Sequence, residues 1–108
     1  MKIYILFSDW MLNGNNSVNE VKGVYDCLKK AQHAIIDSIN VDLQAYPYNN
    51  IWADCTGNIL DYDIPSLANM NYDDKDFCFD ATIARLWNDN ENCSENYITY
   101  FIDEYEVL

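Results

Sequence analysis

The sequence predicts an α+β fold, a twisted antiparallel sheet of about four strands with one main helix packed on one face. Three observations carry that expectation. The chain opens and closes on β-branched and aromatic runs, KIYILFSDW and YITYFIDEYEVL, whose apolar residues alternate. Between them lies one stretch, CLKKAQHAIIDSIN, in which apolar residues recur at helical spacing. At 108 residues, half of them apolar, the chain has the length of one domain and can bury a core without covalent staples.

In chain order, the first strand places Ile3, Ile5 and Phe7 on one face and Tyr4, Leu6 and Ser8 on the other. MLNGNNS, around Asn13-Gly14, is turn chemistry, and VNEVKGVY from Val18 to Tyr25 returns as the second strand of an antiparallel hairpin. Asp26 is placed to cap a helix over residues 27–40. Leu28, Ala31, Ile35 and Ile39 form its apolar stripe, widened by Ile36, while Lys29, Lys30 and Asp37 face water. His33 reads as a helix-surface residue rather than a ligand or base.

Residues 41–75 are punctuated by Pro47, Pro65, Asn49-Asn50 and Gly57 into short pieces. NIWADCTGNIL offers a short strand on either side of Thr56-Gly57. With no repeat or low-complexity linker, residues 41–76 read as an acidic insertion packed on a single domain of residues 1–108. The segment DFCFDATIARLWN is ambiguous. Phe77, Phe79, Ala81 and Ile83 alternate as in a strand, whereas Phe77, Ala81, Ala84 and Asn88 share one side of a helix. The Phe/Thr/Ile/Trp enrichment and the polar turn NDNENCSEN favour a strand, giving a terminal hairpin of residues 77–87 and 96–107. In its last strand Tyr97, Thr99, Phe101, Tyr105 and Val107 keep one phase and Ile98, Tyr100 and Ile102 the other. The first half is therefore expected to be covered on both faces.

The formal charge is −12, and it is unevenly placed. Residues 1–53 carry four basic and five acidic side chains, residues 54–108 two basic and thirteen acidic. Binding to DNA, RNA or an anionic membrane by simple electrostatics is disfavoured, and a partner surface rich in Lys and Arg is the complement. The densest stretch, DYDIPSLANMNYDDKDFCFD, sets six aspartates and one lysine among tyrosine and phenylalanine. A functional acidic face and plain solubility both account for it.

Cys27, Cys55, Cys78 and Cys93 contain no C-x-x-C pair, and His33 is near only Cys27, so zinc-ligand spacing is missing. The thiols read as reduced, mostly small buried hydrophobes, and the protein as cytoplasmic. MKIYILF is too short an apolar run for a signal peptide, and no segment has transmembrane length. The carboxylates of Asp61–Asp63 and Asp73–Asp76 offer oxygen to Mg²⁺ or Ca²⁺ but lack the EF-hand pattern. No Walker motif, nucleotide-binding glycine pattern, nucleophile elbow or HExxH occurs. Neither cofactor, metal nor catalysis is expected. A small metal-dependent enzyme is the weakest of the three functional classes considered.

The start MKIYILF, the stretch GVYDCLKKAQHAI and the finish YFIDEYEVL resemble a family of small proteins from phages and Firmicute-like bacteria. Those begin MKVYVL, carry GVYxSxEKA leading into a helix, and end YYIEEYEV. The likeness covers residues 1–8, 22–36 and 97–108 and leaves the acidic insertion outside it. Its motifs are structural and bring no catalytic residues. The resemblance implies a mobile-element setting, in which small acidic proteins include anti-CRISPR inhibitors that look like nucleic acid to their target. The expectation is a non-enzymatic inhibitor in the host cytoplasm, bound to a basic nucleic-acid-binding protein such as an RNA-guided CRISPR nuclease. The partner-binding residues would be Asp61, Asp63, Tyr72, Asp73, Asp74, Asp76, Asp80, Asp103, Glu104 and Glu106, whose carboxylates meet Lys and Arg as phosphates do. Tyr62, Tyr72, Tyr100 and Tyr105 would stack on guanidinium planes, or, for the last two, cover the sheet. The alternative is an interaction module, an adaptor or an immunity-type partner of a basic protein.

Overall fold

A computed structural model describes residues 1–11, 18–45, 48, 50–55, 79–87 and 97–108. The chain runs β1 (Lys2–Met11), β2 (Val18–Tyr25), α1 (Leu28–Ala45), β3 (Asn50–Ala53), β4 (Ile83–Trp87) and β5 (Tyr97–Glu106). The strands form one antiparallel sheet in the order β2-β1-β5-β4-β3, with α1 packed on one face. This is the predicted fold class, with five strands where about four were expected. The two chain ends pair at its centre, from Lys2 opposite Glu106 to Met11 opposite Tyr97. Both predicted hairpins are present. β2 and β3 lie at opposite edges, so the connection between them crosses the sheet, and an 18-residue helix of about 27 Å is long enough to do it.

The helix departs from its predicted outline at both ends. The Ala31 amide donates to the Cys27 carbonyl at 3.3 Å, so Cys27 holds the capping position. Asp26 stands one residue earlier and accepts from Lys30 Nζ at 3.0 Å, which holds its carboxyl below the usual carboxylate range. At the other end α1 runs past Asn40 to Ala45, because Leu43 packs on the core and Asp42 accepts a bond from Tyr100. Of the expected stripe, Ala31, Ile35, Ile36 and Ile39 are fully buried, joined by Ala34 and Gln32. Leu28 is the correction: it is 37% exposed, and the helix is covered only from Ala31 onward. His33 is half-buried rather than a plain surface residue, and burial pushes its imidazole below the usual histidine range.

The helix-facing side of the sheet supplies Leu6, Ala53, Ala84, Leu86, Ile98 and Tyr100 to the core, completed by Phe79 and Ala81. Phe79 and Ala81 are buried but belong to no strand, so within residues 79–87 the predicted strand begins at Ile83; residues 77–78 lie outside the described residues. The reason is Asp54. Its Oδ1 accepts the amides of Thr82 at 2.8 Å and Ile83 at 3.2 Å, and its Oδ2 accepts the Thr82 hydroxyl at 3.1 Å. Gln32 Nε2 donates to the Asp80 carbonyl at 2.8 Å, which ties the helix to the segment entering β4 and satisfies a buried amide. Of the predicted strands around Thr56-Gly57, the first is β3; the second lies outside the described residues. So do Cys78 and Cys93. Cys55 is buried as expected, its thiol pushed up by burial, whereas Cys27 is exposed. Ile98 and Tyr100 are buried on the helix side of β5 and Thr99 on the other, where Tyr97 and Phe101 are half-buried, so the first half of β5 is covered fully on one face and partly on the other.

Candidate binding surfaces

Asp61, Asp63, Tyr72, Asp73, Asp74 and Asp76, with Tyr62, lie outside the described residues. The remaining expected contacts do not share one face. Asp80 is half-buried, its carbonyl held by Gln32. Asp103, Glu104 and Glu106 are exposed at the end of β5, where strand alternation puts Asp103 on the side away from the helix and the two glutamates on the other. Glu104 pairs with Lys2 Nζ at 2.9 Å and Glu106 with the N-terminal amine at 3.5 Å. Tyr100 is fully buried and unavailable for stacking on a partner; Tyr105 is 45% exposed.

The sheet face away from α1 carries an apolar and aromatic surface that sequence reasoning did not assemble. Strand register lays it out in rows. Val21, Phe7, Phe101 and Ile83 are cross-strand neighbours in one row, with Phe7 and Phe101 stacked at 5.2 Å between centroids. The next row runs Asn19, Asp9, Thr99, Arg85 and Trp52. A register shift at Leu6/Phe7 makes Lys22 the extra residue of β2, so Val21 and Val24, three apart, face the same way. Both are more than half exposed, and Trp52 is 49% exposed. Gly23 sits where the Tyr25 ring folds back over the backbone; a Cβ there would lie 2.8 Å from Tyr25 Cζ.

Where β3, β4 and β5 meet, Trp52, Ile83, Arg85, Trp87 and Thr99 line a hollow of about 510 Å³. Arg85 Nε donates to Thr99 Oγ1 at 2.9 Å, and the guanidinium carbon lies 4.6 Å from the centre of the Tyr97 ring. The alternation in IARLW already put Ile83, Arg85 and Trp87 on one face. Their neighbours Trp52 and Thr99 come from strands whose register no local pattern reveals.

A second, more polar crevice of about 300 Å³ opens between the end of α1 and β1–β2, lined by Ser8, Trp10, Glu20, Lys22, Asp42 and Ile98 among others. Lys22 Nζ sits 3.7 Å from Glu20 and 3.8 Å from Asp42, and Asp42 Oδ2 accepts the Tyr100 hydroxyl at 2.6 Å. Its carboxylates are thus already engaged by a lysine and a phenol. Among the described residues no cluster of three or more His, Cys, Asp or Glu is placed to hold a metal ion, and no helix is long and apolar enough to cross a membrane.

No family model, curated protein or solved structure matches the chain. What the protein does has to be read from its own charge and surface.

Proposed function

We propose that the protein is a non-enzymatic inhibitor whose acidic residues occupy a Lys/Arg-lined groove that its partner otherwise offers to nucleic acid. An RNA-guided nuclease of a host defence system is the concrete partner, which makes the protein an anti-CRISPR inhibitor. The observation that carries this reading is the charge: −12 overall, with thirteen of the eighteen acidic residues in residues 54–108. Arginines and lysines that bind phosphates accept carboxylates in the same geometry, and complementary charge speeds encounter.

The test is a panel of guide-loaded RNA-guided nucleases, assayed for target-DNA binding and cleavage with and without the protein. Inhibition is expected for a member of the panel, weakening steeply with salt. Changing Asp61, Asp63, Asp73, Asp74 and Asp76 together to Asn is expected to slow association most, although each change alone does little. A quintuple variant that binds normally, or a complex in which target DNA and the protein sit together without interference, would remove mimicry. The exposed Val21, Val24 and Trp52 favour a second reading, an adaptor-type module that binds a basic protein through the open sheet face. That reading gains if binding survives the five Asn changes and fails on Trp52→Ala.

A further inference from the structure

Arg85 is the only arginine of a chain with eighteen carboxylate side chains. Among the described residues it nevertheless makes no ion pair. Asp9 stands in the same cross-strand row beyond Thr99 and forms no ion pair with Arg85. What holds Arg85 is neutral: Thr99 takes the Nε proton, and the Tyr97 ring lies against the guanidinium. The two contacts fix the plane of the fork, and among the described residues no partner takes its Nη donors, which stand beside a hollow walled by Trp52, Trp87 and Ile83.

We infer that this hollow binds a small monoanion with a planar apolar body and one carboxylate. The carboxylate takes both Nη groups of Arg85 end-on, and the planar body lies against the indoles of Trp52 and Trp87. Each part follows from a wall of the site. A guanidinium with its plane already set matches the two oxygens of a carboxylate and loses little freedom on binding. Two tryptophans offer flat apolar surface and offset stacking, which a compact inorganic anion cannot use. The volume of about 510 Å³ is that of an ordinary small-molecule site. The guanidinium favours an anion, a chain at −12 disfavours a multiply charged one more than a singly charged one, and the flat fork matches a carboxylate. This site is independent of the acidic surface and of the nuclease proposed above; it shares Trp52 with the second, adaptor-type reading.

Indole-3-acetate, benzoate and 2-naphthoate are the probes, titrated into the full ¹⁵N-labelled chain, with indole-3-acetamide as the uncharged counterpart. Saturable shifts are expected at the indole N–H of Trp52 and Trp87 and at Arg85 Nε–H with at least one carboxylate. The amide should bind at least tenfold more weakly. Arg85→Gln and Arg85→Lys should each weaken the carboxylate at least tenfold with the backbone spectrum retained. Should either variant unfold, Trp52→Ala, at a half-exposed edge position, is expected to weaken binding several-fold in a folded chain. The inference is overturned if no probe gives saturable shifts, if acid and amide bind equally, or if the folded variants bind like the parent chain.

Discussion

Tyr100 joins the apolar core to the polar end of the helix: its ring is fully buried and its hydroxyl donates to Asp42 Oδ2 at 2.6 Å. Burial first, then the bond to Asp42 and its negative charge, push the phenol far above the ordinary tyrosine value. The unfolded chain releases this proton near pH 10, whereas the folded chain keeps it. The stabilisation is therefore complete below about pH 10 and is lost as the pH rises beyond it, by about 1.4 kcal/mol per pH unit from this one group. Urea unfolding of the parent chain and of Tyr100→Phe between pH 8 and 11 measures it. The variant should be less stable at pH 8 by about 1.5–3 kcal/mol, the worth of a hydrogen bond to a charged group, and should lose this part of the alkaline slope. Parallel curves would mean that Tyr100 does not carry the linkage.

At the scale of the element, α1 shows how far periodicity reaches. Ile35 was expected on the buried stripe and is 0% exposed, so Ile35→Ala should cost on the order of 2–4 kcal/mol in denaturant unfolding. Leu28 was expected on the same stripe and is 37% exposed, so Leu28→Ala should cost about 1 kcal/mol, clearly less than Ile35→Ala. Equal losses at the two positions would contradict this placement of the helix. The 3.6-residue repeat fits both residues to one face and is blind to where the sheet ends. The start of β4 has the same origin: Phe79 and Ala81 alternate with their neighbours as a strand would, but Asp54 takes the amides of Thr82 and Ile83. Alternation reported their burial rather than their pairing.

For the whole molecule the governing quantity is the charge of −12. Self-repulsion at that charge opposes compaction. The ion pairs Lys2–Glu104 and Asp26–Lys30 are exposed and offset little of it. Raising NaCl from about 10 mM to about 150 mM shortens the screening length from about 30 Å to about 8 Å. The unfolding midpoint in calorimetry should therefore rise, by about 4–8 °C for each kcal/mol of repulsion removed. A midpoint that falls with salt would show that the exposed ion pairs outweigh the repulsion.

By itself the sequence determined what local chemistry can encode: the terminal strands β1 and β5, the hairpins β1–β2 and β4–β5, the core face of α1 through Ile35, Ile36 and Ile39, and the burial of the first half of β5. Each is a repeat of two or 3.6 residues that can be read within one segment. Only the tertiary structure decided that β3 pairs with β4, in which register β4 meets β5, and that Trp52, Arg85 and Thr99 thereby stand in one row. Register between distant strands is set by ladder hydrogen bonds and by a cap such as Asp54, which belong to pairs of segments and leave no period in either. The acidic stretch announced itself by composition alone, whereas the Arg85 hollow, built from three strands, exists only once they are side by side.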